Sequence, residues 1–366
     1  MSAEAEQGSA ARPPHSNAGA APPTHRRRPR YKGRNPRRFE EKYKELNPDS
    51  YPETVQKVLA AGKTPAGSHR PIMVGEVVTA LDPKPGQTGV DCTLGYGGHA
   101  LVLLDRIRPG GRLIGIDADP TQLPKAEFRL RAKGFCEEEF TGIRSNFAGL
   151  AAVLGKVGIP QVDFIFADLG VSSMQLDDPA RGFTYKAEGP LDMRMNPNRG
   201  ASAAELVQRS EPADLAAIFR ENADEPRAAQ IAESLAGRRL ATTNALAQAL
   251  AALLKGIPRD EIEAAKRRVF QALRIAVNEE FAVLDALLRG IPSCLKPGGR
   301  VAILTFHSGE DRRVKHAFAQ GWRDGVYSEI SREVTRPQPE EAGANPRSKA
   351  AKLRWAVRGR MEGSLE

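Results

Sequence analysis

The stretch Gly89–Ala100, GVDCTLGYGGHA, read together with RLIGID at Arg112–Asp117, decides the fold. It begins as a buried strand and runs into the glycine turn Gly95-Tyr96-Gly97-Gly98 at the start of a helix. Glycines at such a turn let the backbone approach a ligand closely, and the free amides of the helix N-terminus meet its polar end. Twenty-two residues beyond Gly95 the next strand ends in Asp117, an acid able to accept hydrogen bonds from both hydroxyls of a ribose. The pattern fits two cofactors, because Gly95, Gly97 and Ala100 also satisfy the dinucleotide fingerprint with its acid about 20 residues on.

Further strands follow at Val162–Asp168 and Arg300–Phe306, with a weaker one at Phe140–Arg144 and helix-compatible stretches between most of them. Strand alternating with helix predicts a mostly parallel sheet covered on both faces, with ligands at the carboxyl ends of the strands. The alternation stops after Asp168. From Gln175 to about Arg268 the Ala/Leu-rich segments predict a helical insertion. One long amphipathic helix is then expected from Val269 through Leu273, Val277, Phe281 and Leu284 to Leu288, and Leu295–Gly299 reads as a turn back to the sheet. Two details favour S-adenosylmethionine over a nicotinamide dinucleotide. Asp91 precedes the glycine loop, where a methionine ammonium needs a carboxylate. The fourth strand ends in Asp168-Leu169-Gly170, where amino-methyltransferases carry an acid or amide beside the methyl donor.

Composition narrows the partners. The 366 residues carry Lys+Arg 54 against Asp+Glu 45, a net +9, which favours an anionic partner. Residues 1–64 hold 13 Lys/Arg and 7 Asp/Glu, which is +6 and leaves +3 for the rest. Within them HRRRPRYKGRNPRR, His25–Arg38, has eight cationic side chains and no acid, and Pro29, Gly33 and Pro36 oppose a helix. It reads as a disordered arm whose arginines grip phosphates and whose Tyr31 stacks on a base. Gly62-Lys63-Thr64 lacks the earlier glycine of a phosphate loop, since position 57 is Lys57. Three scattered cysteines form neither a disulfide framework nor a zinc cluster, which fits a reducing, cytoplasmic setting, and no apolar run is long enough to span a bilayer.

Longer blocks carry a resemblance. HRPIMVGEVV from His69, the glycine loop, IDADP from Ile116, SNF at Ser145–Phe147, ADLGVSSMQLDDPARGF from Ala167, GPLDMRMNP from Gly189, FQALRIAVNEE from Phe270, PGGRVAILTFHSGEDRRVK from Pro297 and NPRSKAAKLR from Asn345 occur in order. Together they resemble the ribosomal RNA small subunit methyltransferase H family, from about His69 to Arg354. The resemblance implies a Rossmann-like class I S-adenosylmethionine-dependent methyltransferase with an inserted helical domain. It also implies methylation of the exocyclic N4 of a cytidine in the decoding region of 16S ribosomal RNA, in the small subunit or its precursor. The expected division is a basic extension over 1–64, a methyltransferase domain over 65–175 and 269–366, and the insertion over 176–268. The cofactor contacts it implies are Gly97, Gly98, His99, Asp117, Phe147, Asp168 and Gln175. An NAD-dependent oxidoreductase and a non-catalytic ribosome assembly factor are the competing expectations.

Asp168 is the candidate catalytic residue, because a buried strand-end carboxylate demands a partner. A cytidine amino group is a weak nucleophile, and an acid helps by accepting hydrogen bonds from it and holding it in line with the methyl carbon. Many amino-methyltransferases close this loop with an aromatic that stacks on the base, whereas this chain has Leu169, Gly170 and Val171. Arg181-Gly182-Phe183, Met193-Arg194-Met195-Asn196 and His307-Ser308 are candidates for the RNA side, with a hydrogen-bonded loop network as the plainer expectation. No metal-ligand spacing or nucleophile elbow accompanies His307. Gly309 stands where the resembled family usually has leucine, Ala265–Arg268 replaces a Pro-Ala-Thr-Arg run, and Lys349 and Ala350 alter the last block.

Overall fold

A computed structural model describes residues 71–171, 175–176, 178–345 and 347–360. The basic arm His25–Arg38 with Tyr31, Gly62–Thr64 and the whole of the 1–64 extension lie outside the described residues. Seven strands form one sheet in the order β3-β2-β1-β4-β5-β7-β6. They are β1 (Thr88–Asp91), β2 (Arg112–Asp117), β3 (Phe140–Arg144), β4 (Val162–Asp168), β5 (Leu295–Thr305), β6 (Tyr327–Ile330) and β7 (Lys352–Arg358). β1 to β5 run parallel, and β7 pairs antiparallel with both β5 and β6. The strand order reverses at β1, so the crevice outside the ends of β1, β2 and β4 is the place for a ligand.

Helices cover both faces, as apolar runs on parallel strands require. α1 (Val74–Leu81), α2 (Gly98–Ile107) and α3 (Leu123–Ala132) close one side over Leu113, Phe164, Phe166 and Leu304. α4 (Leu150–Lys156), α10 (Glu280–Cys294) and α11 (Ser308–Arg323) close the other over Ile114, Ile165 and Ile303. Between β4 and β5 lie α5 (Ala203–Arg209), α6 (Pro212–Ala223), α7 (Ala228–Leu235), α8 (Thr243–Leu253) and α9 (Arg259–Val277), gathered on a third core that includes Phe219, Ile231, Leu250 and Leu273. α12 (Pro339–Ala344) precedes β7.

Three expectations change. The helix predicted through Val269–Leu288 is two helices, broken at Asn278 and at Glu279, whose φ of 50° is left-handed. Its apolar face is divided accordingly: Val269 and Leu273 enter the insertion's core, while Leu284 and Leu288 enter the sheet's. Leu295–Gly299, read as a turn, lies inside β5. The turn survives as an irregularity, since Val162 faces Leu295 but Phe164 already faces Arg300. β6 and β7 were not expected as strands, because β7 alternates charges with apolar residues and its Arg354 is buried only by pairing with Asp311 at 2.6 Å.

Candidate functional site

A cleft of about 400 Å³ opens at the carboxyl ends of β1, β2 and β4. Its wall includes Gly95, Gly98, His99, Asp117, Phe147, Asp168 and Gln175, so six of the seven expected cofactor contacts converge on one space. Gly97 stands just behind them. It caps α2 with φ 77°, a conformation that favours glycine, and its N–H donates to the Leu94 carbonyl at 2.7 Å. Asp91 also lies behind the wall. Its side chain is 1% exposed and accepts from Thr93 N–H at 3.0 Å, so Cys92 and Thr93 take the place expected for it. Burial pushes Asp91 up to about 7.

The carboxylates are positioned by backbone amides. Asp117 accepts from Gly95 N–H and from Asp119 N–H, each at 2.7 Å, which locks the acid of β2 to the glycine turn. Burial raises its pKa, although those amides pull the other way. Asp168 is anchored through its main chain, whose N–H donates to Thr93 Oγ1 at 2.6 Å. Its Oδ1 is buried and finds no hydrogen-bond partner among the described residues. Burial, then the nearby Asp91 and Glu310, push Asp168 up to about 8. Phe147 follows the end of β3 on a short turn that Asn146 caps by accepting from Ala148 N–H.

His99 is held in one tautomer. Its Nε2 lies 2.9 Å from the Ile72 carbonyl and must donate to it, and its Nδ1 then faces Asp168. Burial holds the imidazole down at about 4, so it is neutral at pH 7.

Sequence reasoning missed Asp119, although IDADP displays it two residues after Asp117. This side chain is 1% exposed and accepts from Gln175 Nε2 at 2.8 Å, from Arg181 Nη1 at 2.9 Å and from Thr121. Burial works to raise its pKa, but these hydrogen bonds outweigh it and hold the carboxyl low. Arg274 and Phe306 also line the cleft unpredicted. Arg274 grips both oxygens of Glu280 at 2.8 Å. Glu280, His307 and Glu310 gather closely enough to suggest a cation site, but the guanidinium of Arg274 already occupies Glu280.

Most of the residues expected on the RNA side serve the loops instead. Arg181 reaches inward to Asp119 and donates to the carbonyls of Arg194 and Met195. Arg194 pairs with both oxygens of Asp192, and Phe183 and Met193 are buried in the insertion's core. Gly182, at φ 73°, is required because a Cβ there would strike the Pro190 carbonyl. His307 packs on Phe281 and pairs with Glu310 at 3.2 Å. Met195 alone of these lines the cleft.

The cleft suits S-adenosylmethionine in its donor set: a ribose-height carboxylate on β2, an aromatic face at Phe147, and an unpartnered carboxylate oxygen on β4. Residues 66–359 match the model of the MraW methylase family. The chain is 46% identical over 343 residues to "Ribosomal RNA small subunit methyltransferase H 1" of Agathobacter rectalis, spanning 91% of this chain and 98% of that protein. It is 48% identical to "Ribosomal RNA small subunit methyltransferase H 2" of Alkaliphilus metalliredigens, over 91% and 97% of the two chains. "Ribosomal RNA small subunit methyltransferase H" of Symbiobacterium thermophilum is 39% identical and spans 79% of this chain and 96% of that protein. A 91% match leaves only about 33 of the 366 residues outside, so likeness to the longer relatives enters the extension that the motifs alone did not reach. These matches leave no support for the dinucleotide oxidoreductase or the non-catalytic assembly factor, and the chain belongs to the MraW methylase family of methyltransferases.

Proposed function

We propose that this protein methylates the exocyclic N4 of a cytidine in the decoding region of 16S ribosomal RNA, on the small subunit or its precursor, with S-adenosylmethionine as donor. That substrate locates its work in the cytoplasm. The observation that carries the proposal is the convergence of Asp117 and Asp168, from two different strands, on a single cleft of a methylase fold. The relatives' names supply the ribosomal substrate. The choice of an amino nitrogen comes from the acid at the end of β4.

S-adenosylmethionine supplies an electrophilic methyl group on a cationic sulfur. Asp117 would hold the ribose hydroxyls and Phe147 would cover the adenine. The turn from Gly95 to Gly98 lets main chain approach the cofactor, with Gly97 setting the turn from behind. Gln175 closes the wall from the loop after β4 and is steadied by Asp119. Asp168 accepts a hydrogen bond from the cytidine amino group through its unpartnered oxygen, which draws the nitrogen lone pair out of the ring and aligns it for attack. His99, neutral and with its Nδ1 lone pair toward Asp168 Oδ2, keeps the proton of that carboxyl on Oδ2 and leaves Oδ1 to accept from the amino group, whose departing proton passes to solvent.

Methyl transfer to isolated small subunits, followed by mass mapping of the nucleosides, tests this directly. One new N4-methylcytidine in the decoding region is expected with the wild type and none with Asp168→Ala. Label appearing on another base, or no label at all, would refute it.

A further inference from the structure

The loop after β4 has no ring to hold a base, but the wall beside it does. Among the described residues, the rings on the cleft wall belong to Tyr96, His99, Phe147 and Phe306. Tyr96 lies under Arg129, whose guanidinium carbon is 4.4 Å from the ring centroid. His99 is fixed between the Ile72 carbonyl and the ring of Phe166. Phe147 follows β3, on the Asp117 side of the sheet.

Phe306 is the ring beside the chain that leaves Asp168. In the β4–β5 pairing Asp168 faces Leu304, and Leu169 N–H donates to the Leu304 carbonyl at 3.0 Å. Two residues further along each chain, Gly170 meets Phe306. A Cβ on Gly170 would lie 3.7 Å from Phe306 Cδ2, and with φ 94° the position favours glycine, so Gly170 itself puts no side chain over the ring. The Phe306 main chain is fixed by its N–H, which donates to Glu310 Oε2 at 2.8 Å. Glu310 is 3% exposed and itself pairs with His307. Phe306 packs against the sheet's core, is only partly buried, and lines the cleft.

We propose that Phe306 is the platform on which the target cytosine stacks while its amino group reaches Asp168, and so a catalytic residue that sets base acceptance. The inference rests on the function proposed above. Enzymes that act on a base take it out of its stack and seat it against aromatic or apolar faces. Losing one such stack costs about tenfold to a hundredfold in affinity.

The test compares F306L, which keeps apolar volume without a π face, with F306Y and F306W, which keep the face. With small subunits as substrate, kcat/KM is expected to fall about tenfold or more in F306L and to stay within about threefold of wild type in F306Y or F306W. S-adenosylhomocysteine affinity by calorimetry should stay within about twofold throughout, which a merely structural role of Phe306 would not give. An F306L enzyme that turns over like wild type overturns the inference. So does an F306L whose cofactor affinity falls as far as its kcat/KM. If F306L does not fold, F306Y and F306W decide alone, and a hundredfold loss in both overturns stacking. A wild type that binds S-adenosylhomocysteine but methylates no subunit overturns the proposed function and the stacking together, whereas normal wild-type turnover with an indifferent F306L overturns stacking alone.

Discussion

Arg181 spans the gap between the insertion and the sheet: its Nη1 lies 2.9 Å from Asp119 Oδ2, while its Nη2 donates to the carbonyls of Arg194 and Met195. One guanidinium thereby ties the loop after β2, which carries Asp119 two residues beyond Asp117, to the loop that presents Met195 to the cleft.

Replacing Arg181 with Met should destabilise the protein by about 2–4 kcal/mol, because Asp119 is then left buried without its counter-charge. Asp119 is held below its ordinary pKa when folded, so the pair's contribution is present at neutral pH and disappears as pH falls through the folded value. Urea unfolding at pH 7 should reveal the deficit. An equal midpoint for wild type and variant would contradict it.

Asp168 carries the opposite linkage. Folded, it keeps its proton up to about 8, whereas in the unfolded chain it ionises near the ordinary value of about 3.9. The native state therefore binds the extra proton between these values, and stability falls as pH rises through them. Asp168→Asn removes this slope. Since 29% of the side chain remains exposed, the variant should gain about 1–3 kcal/mol near pH 8, nothing near pH 4, and lose methyl transfer. A gain that is flat with pH would show that the carboxyl is not the source.

Gly309 and Phe281 share one space. A Cβ on Gly309 would come 2.6 Å from Phe281 Cζ, so the ring fills the room a larger side chain at 309 would need. Gly309→Leu alone should cost about 1–3 kcal/mol by overpacking, and Gly309→Leu with Phe281→Leu should recover most of it. Thermal melts of the two single variants and the double variant measure the coupling. Simple additivity would argue against a shared space.

Residues 1–64 carry two-thirds of the formal charge excess. Their deletion should weaken binding to ribosomal RNA and flatten its dependence on salt, while cofactor affinity is unaffected. Filter binding at several salt concentrations reads the slope directly, and a slope equal to that of the full chain would deny the arm a role in phosphate contact.

The sheet's first five strands were legible because parallel strands buried on both faces are written as apolar runs, as in FIFA at Phe164–Ala167. β7 was illegible because Lys352, Arg354 and Arg358 interrupt it, and the salt bridges of Asp311 with Lys352 and Arg354, with the hydrogen bond from Arg358 to the Val326 carbonyl, make those charges tolerable inside a sheet. The break at Asn278–Glu279 was hidden for another reason: the three- and four-residue spacing continues across it while the partner core changes. At the site, Asp117 and Asp168 stood out as acids ending apolar strands. Arg181 and Asp119 are 62 positions apart, and no local spacing reveals a partner so distant.

β7 lies between β5 and β6 although both precede it in the chain. During synthesis β5 emerges with one neighbour waiting, β4, and its other edge stays open until Lys352–Arg358 leave the ribosome. The insertion, whose core draws on Val171 to Val277, has every residue it needs well before that. A chain interrupted ahead of residue 352 is therefore a sheet whose central strand β5 is left as an open edge beside a completed helical unit, a species built to aggregate or to be recognised by a chaperone.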